Sequence, residues 1–440
     1  MAELMIRNGY ILTMDGKDRR FPDGVVAISA GEITAVGPAS EIPTDPAARI
    51  IDARGGIILP GLINAHTHAA MTLFRGIADD LPLMTWLNDH IFPAEATLDA
   101  DRVRAGTRLA CAEMIRSGTT CFCDMYLFEG AVADAAREAG MRAVVGEVLY
   151  DFPSPSYGPI DKGFAHTRAL IEQWADDPLV TIAVEPHSPY LCAPDLLREA
   201  AALARSYKVP LVIHLSETAQ EVETVRKSHG RTPVGHLAHL GVLGPDLVAP
   251  HCVALTDDDI RLLRDADVKV VHNPESNMKL ASGVAPVPRL LDAGVLVALG
   301  TDGPSSNNDL DLFAEMDTAA KLHKVTTLDP TVLDATTVLK MATIDGARAL
   351  GLDHRTGSLE PGKRADLIIV DTDAPHLTPL YHPDSHLVYA ARGSDVVTTM
   401  VDGRILMEDR QLMTLDEDAV MERAKEIAEA IRRSINIDRD

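Results

Sequence analysis

Basic residues are in short supply. The 440-residue chain carries 41 lysines and arginines against 65 aspartates and glutamates, a formal net charge of −24. A field of that sign repels phosphate, which argues against nucleic acid or an anionic membrane as a partner. A neutral or zwitterionic small molecule fits better. Cysteine is scarce as well: Cys111, Cys121, Cys123, Cys192 and Cys252 form an odd, scattered set. That is a poor disulfide framework and suits a reducing cytosol. Cys121 and Cys123 have no matching second pair for a metal site and read as small buried residues on a strand. Long apolar runs are missing too. No stretch approaches the roughly 18 residues of a membrane span, and the start, MAELMIRNGYILTMDG, has no charged segment leading into an apolar one. The expectation is a cytoplasmic protein with neither signal peptide nor membrane span.

What is present is a globular composition, 46% hydrophobic and 24% charged. The length suits one large barrel of about 250 residues with a smaller domain. Between residues 57 and 301, β-rich segments that end in polar residues alternate with helical stretches. They centre on GIILPGLINAH, TTCFCD, AVVGEVL, VTIAVEP, PLVIHL, DLVAPHC, VKVVHN and VLVALGTD. Eight β-then-α units predict a (β/α)8 barrel of the TIM type, with its active site at the C-terminal ends of the strands. Residues 101–117, 194–207, 329–352 and 416–434 read as helices, with Pro194 in a first turn and Gly118 after a last one. The two chain ends have a different pattern, in which short strands are separated by NG, DG and AG turns in 2–56 and again in 357–408. The expected division is therefore 1–57 as part of a β-sandwich, 58–355 as the barrel, and 356–440 as the rest of the sandwich plus a C-terminal helix.

The polar strand ends carry the chemistry. The first ends in NAHTH, where His66 and His68 point to one side of an extended chain. The fifth ends in His214, the sixth in His251 and the eighth in Asp302. One such histidine is usually a hydrogen-bonded polar residue. Five such groups at one end of a barrel predict a metal site. The fourth strand ends in VEPHSP, with His187 and no lysine to bridge two ions, so a single metal is expected. His66, His68, His214 and Asp302 would hold it, with zinc favoured and iron, cobalt or nickel also compatible with imidazole and carboxylate. A metal that lowers the pKa of water toward about 7 makes hydrolysis the natural chemistry. Glu217, His251 and Asp302 are the groups that could move protons; a glutamate at a helix start is otherwise a dipole partner.

NAHTH, HLSE, PHC and TDGPSSNNDLD, in this order, resemble the amidohydrolase superfamily, as do the flanking LPGLINAHTH and GSLEPGKRADLIIVD. MTLFRGIADDLPLMTWLNDHIFPAEA, NPESNMKLASGVAPV and GTDGPSSNNDLD are similar to 5-methylthioadenosine/S-adenosylhomocysteine deaminases. The resemblance implies zinc on His66, His68, His214 and Asp302. It implies that Glu217 protonates a purine ring nitrogen and that His251 orients the attacking hydroxide. It further implies Glu95 on the two ribose hydroxyls, His187 and Ser306 against the substrate, and a homo-oligomer. A carboxylate can accept both hydrogens of a vicinal diol, which gives Glu95 a chemical reason to serve a nucleoside.

For the substrate tail, Met71, Phe74, Leu83 and Trp86 are candidates for an apolar slot, although such spacing more often marks core. Some relatives hold the S-adenosylhomocysteine carboxylate with arginines after the third strand. Residues 143–167 contain no arginine, leaving Lys162 or Arg75 as substitutes. The expected reaction is hydrolytic deamination, chiefly of 5′-methylthioadenosine, with S-adenosylhomocysteine or adenosine as further substrates. The rivals are a guanine or cytosine deaminase, a triazine aminohydrolase or chlorohydrolase, and a non-catalytic barrel scaffold. The scaffold is disfavoured because all four ligand positions are kept.

Overall fold

Strands buried on both faces need near-continuous apolar runs, and the central chain supplies them. Its eight strand positions are Leu62–Thr67, Thr119–Tyr126, Arg142–Leu149, Val180–Ile182 with Glu185–Pro186, Leu211–Val212, Leu247–Pro250, Lys269–His272 and Val297–Leu299. The computed structural model describes residues 2–81 and 85–435, save the side chains of 86–88. The strands pair in parallel in two runs, joined by a bridge between Val184 and Leu211. Side chains close the ring. The Asn64 amide donates to Thr301 Oγ1 (2.7 Å) and accepts from the Thr301 backbone (3.0 Å), while the Asp302 N–H donates to the His66 carbonyl (3.0 Å). Gly300 permits this approach: a methyl there would sit 2.8 Å from the His66 nitrogen.

Helices cover the barrel. Ala100–Arg116 starts on an Asp99 cap and buries Val103, Ala110 and Met114. The C-terminal helix, Glu417–Ser434, packs on it through an apolar stripe of Val420, Ala424, Ile427 and Ile431, with an Arg116–Glu417 ion pair of 2.8 Å. The helix expected over 329–352 is two shorter ones, Ala335–Met341 and Ile344–Ala349. The Asp334 carboxylate accepts from the Thr337 N–H and so sets a late start, and Thr343 leaves helical geometry (φ −131°, ψ −97°) between the two.

Strands from both chain ends join in one nine-stranded sheet. Its junction is Ile57–Pro60 against Leu367–Val370, antiparallel. The sheet has a core of its own, in which Ile6, Val26, Ile33 and Ile58 meet Leu367, Ile369 and Met400. Ala30–Gly31 and Asp402–Gly403 form tight hairpin turns with positive φ at both residues, as the sequence predicts. Asn8–Gly9 does not turn: it is an irregularity inside the continuous strand Leu4–Leu12, and Gly9 lies where any Cβ would strike Ile58. Arg142, under the barrel, is 1% exposed and pairs with both oxygens of Asp366 (2.7 and 3.1 Å), tying barrel to sheet. Among the described residues, no helix is long and apolar enough to cross a membrane.

Candidate active site and metal centre

The strand ends place His66, His68, His187, His214, His251 and Asp302 around one point. Ligand atoms of His66, His68 and His214 all lie within 4.8 Å of one another, as do those of His66, His251 and Asp302. Asp302 Oδ1 is 3.1 Å from His68 Nε2 and 3.5 Å from His66 Nε2. His251 and Asp302 have left-handed backbones (φ +75° and +63°), a conformation that costs a non-glycine residue about 1–2 kcal/mol. Strain of this sort gathers where a side chain must be aimed.

Neighbours fix the rings. His68 Nδ1 donates to the Met125 carbonyl and His214 Nδ1 to the His187 carbonyl (2.9 Å), which turns each Nε2 toward the centre. Asp302 Oδ2 accepts from Ser276 Oγ (2.6 Å) and Ser306 Oγ (3.2 Å), while Oδ1 also accepts from the Gly303 N–H (2.9 Å). His251 Nδ1 faces Asn277 Oδ1 at 3.1 Å, and its Nε2 lies 3.9 Å from Glu217 Oε2. Glu217 sits one residue beyond Ser216, whose φ is +53°. The Glu221 carboxylate, one helical turn on, accepts the N–H groups of both Ser216 (3.0 Å) and Glu217 (2.7 Å).

The residues fit a metal ion. His66 is fully buried, yet neither of its ring nitrogens makes a well-formed hydrogen bond. Such an orphan costs about 1–3 kcal/mol unless something ligates it. Three imidazole nitrogens and one carboxylate oxygen form a donor set of the zinc type. Burial holds His66 down to about 4 and His187 to about 3, and drives His214 well below its ordinary value, so these rings stay neutral. Burial also disfavours the Asp302 carboxylate, but the facing rings of His66 and His68 outweigh it and hold the acid well below the carboxylate range. Glu217 moves the other way: burial raises it, partly offset by His251.

A cavity of about 570 Å3 opens over this cluster. His68, His187, His214, Glu217, His251, Asp302 and Ser306 line its floor. Glu95 lines it farther out, where the Tyr126 hydroxyl donates to Glu95 Oε1 at 2.8 Å. Burial raises the Glu95 carboxyl to about 7, against the pull of that hydrogen bond. Of the apolar candidates, Met71 lines the cavity, whereas Phe74 is wholly buried among core residues and does not. Leu83 and the Trp86 side chain lie outside the described residues. Arg75 is engaged with Glu113 and the Asn308 carbonyl, and Lys162 is exposed on the helix Ile160–Trp174; neither lines the cavity. The outer wall is formed instead by Tyr150 and Phe152, whose rings stack at 3.9 Å. All five cysteines are buried and free.

Tyr126, Tyr150, Phe152 and Glu221 have no motif to announce them, and Ser276 stands inside NPESNMKLASGVAPV without a role assigned to it there. Tyr126 and Tyr150 lie at or just past strand ends, where alternation gives the only hint. Glu221 passes for a glutamate in a first helical turn, and Ser276 for a turn residue after a proline.

The amidohydrolase family model matches residues 57–406. The chain is 63% identical over 432 residues to a 5-methylthioadenosine/S-adenosylhomocysteine deaminase of Syntrophobacter fumaroxidans, covering 98% of this chain and 99% of the relative. It is 48% identical to a 5′-deoxyadenosine deaminase of Methanosarcina mazei, covering 99% and 100%. A solved adenosine deaminase from Xanthomonas campestris with bound zinc superposes with a TM-score of 0.96, at 42% identity over 98% of this chain and 99% of that one. With its barrel, its ring of strand-end histidines and a family match over residues 57–406, this chain belongs to the amidohydrolase family.

Proposed function

We propose that this chain is a zinc-dependent hydrolase that deaminates adenosine-type nucleosides, with 5′-methylthioadenosine foremost and S-adenosylhomocysteine or adenosine as further substrates. The observation that carries the reading is one cavity with two kinds of carboxylate. Glu217 stands beside His251 at the floor, and Glu95 stands with Tyr126 farther out. A purine at the floor puts its ribose toward Glu95.

His66, His68, His214 and Asp302 would hold one zinc ion, whose chemistry is to make water a competent nucleophile near neutral pH. His251, with Nδ1 donating to Asn277 Oδ1, keeps the Nε2 lone pair free to orient and deprotonate that water. Glu217, raised by burial, holds a proton and delivers it to the ring nitrogen beside the amino-bearing carbon. Water adds to that carbon, and the proton taken by His251 passes with the help of Asp302 to the amine; the adduct then collapses, breaking the C–N bond to release ammonia, forming the carbonyl and returning the hydroxyl proton to Glu217. Substrate and water give the inosine-type product and ammonia. Glu95 accepts hydrogen bonds from the ribose diol, and Tyr126 fixes its oxygen. Ser306 and His187 close on the base. The buried free cysteines support a reducing cytosol, and the family resemblance supports an assembly of identical chains.

The test is ammonia release by the zinc-loaded enzyme from adenosine-type nucleosides, guanine, cytosine and an aminotriazine. Release confined to the nucleosides supports the reading. Release confined to free bases or the triazine contradicts it.

A further inference from the structure

Lys279 ties the segment NPESNMKLASGVAPV to two other loops at the mouth of the barrel. Its ammonium donates to Asp79 Oδ1 (2.6 Å), to Asn308 Oδ1 and to the Ser305 carbonyl (3.3 Å). Three acceptors match the three N–H bonds of an ammonium. Asn308 Nδ2 in turn faces Asp79 Oδ2 at 3.5 Å, and Arg75 holds the Asn308 carbonyl at 2.5 Å. Three chain segments therefore meet at one nitrogen. Asp79 comes from the stretch after the first barrel strand, Lys279 from the short helix after the seventh, and Ser305 with Asn308 from the loop after the eighth.

Each segment carries part of the site, although Asp79, Lys279, Ser305 and Asn308 lie outside the cavity lining. The helix, Pro274–Lys279, presents Ser276 to Asp302 Oδ2 (2.6 Å) and Asn277 to His251 Nδ1 (3.1 Å). The eighth-strand loop carries Asp302 and Ser306, and the first stretch carries Met71 into the cavity. Six residues are too few to hold a helix by its own hydrogen bonds. At its start, Glu275 accepts from Thr318 Oγ1 (2.6 Å) and donates its N–H to Glu315 (3.3 Å). Lys279 holds the other end. The loop needs an outside hold as well, since Asn308 keeps a left-handed φ of +83°.

The Lys279 and Asp79 side chains are 23% and 38% exposed, and an ion pair so open to water adds little to stability. What it supplies is geometry. We infer that Lys279 is a positioning residue: it clasps the helix that aims His251 and Asp302 to the loops on either side of the metal centre. Its effect on turnover rests on the deaminase reading; its effect on the loops does not.

The experiment replaces Lys279 by Met, which removes the ammonium and keeps the length of the side chain. K279M should lower kcat for 5′-methylthioadenosine, counted per bound zinc, by about 10–100-fold with KM little changed. Amide hydrogen exchange should quicken across 274–280 and 303–310 and stay as in the wild type across the helix Ala100–Arg116. K279R, which keeps the charge, should recover part of the loss. K279M/D79A should be no worse than K279M alone, because the two residues act through one contact. Should K279M not fold, D79A alone is read by the same two measurements. Wild-type exchange in 274–280 and 303–310 overturns the clasp, whatever kcat does. A lowered thermal midpoint with unchanged kcat per bound zinc makes Lys279 a stability residue and overturns it too. If the wild-type enzyme releases no ammonia from any nucleoside, the deaminase reading falls, and faster exchange confined to these segments still upholds the clasp.

Discussion

Glu221 accepts the backbone N–H groups of Ser216 and Glu217 through separate oxygens, at 3.0 and 2.7 Å. The pair fixes the turn that carries the His214 strand end into the acid at position 217, and Ser216 holds a left-handed φ of +53° within it. Glu221 is therefore a positioning residue. E221A should lower kcat by about 10–100-fold with zinc content unchanged, and E221Q, which keeps one acceptor oxygen, should recover part of the loss. Wild-type kcat in E221A would remove it from this role.

Glu217 itself is assigned the proton donated to the purine ring. E217A should cut kcat by roughly 10²–10⁴-fold, the usual range for general acid–base catalysis, while metal analysis still finds zinc. Near-normal turnover with zinc bound would contradict the assignment.

Glu95 gives a pH prediction. Burial raises its carboxyl to about 7, so the free enzyme holds it largely protonated below that pH and ionised above it. Accepting two diol hydrogens requires the ionised form. Nucleoside binding to the metal-free enzyme should therefore tighten as pH rises through about 7, by about tenfold over two pH units. E95Q should flatten that dependence, and E95A should weaken nucleosides while leaving free bases little changed. Calorimetry at both pH values decides it; a slope that persists in E95Q belongs to another group.

Arg142 predicts a stability effect remote from the chemistry. Arg142 is 1% exposed, and its guanidinium spans the Asp366 carboxylate between barrel and sheet. Removing one partner of a buried pair typically costs about 3–5 kcal/mol because the other charge is left stranded. R142A should show that loss in denaturant unfolding, and R142A/D366A should regain part of it. Equal stability of the single mutant and wild type would make the pair inert.

The barrel and the centre of the site were legible in the sequence for one reason. Residues at strand ends are fixed by short periods, so His66 and His68 fall on one side and His214, His251 and Asp302 mark their own strand ends. The outer cavity was not legible in that way. The Tyr126–Glu95 hydrogen bond joins residues 31 apart, and the Tyr150–Phe152 stack depends on a turn closed by Ser154 and Gly158. No local spacing encodes either. Asn8–Gly9 has the letters of a hairpin, but packing of Gly9 against Ile58 keeps the strand running. Phe74 has the spacing of a slot residue and the burial of a core residue.

The proposed reaction turns on one cation held by His66, His68, His214 and Asp302. The direct measurement is ammonia release from 5′-methylthioadenosine by chelator-stripped enzyme, followed as zinc is returned by titration. The expected result is no release from the stripped enzyme and full recovery at one equivalent of zinc per chain, with D302N failing to recover. Turnover by the stripped enzyme, or recovery that needs a second equivalent, would contradict it.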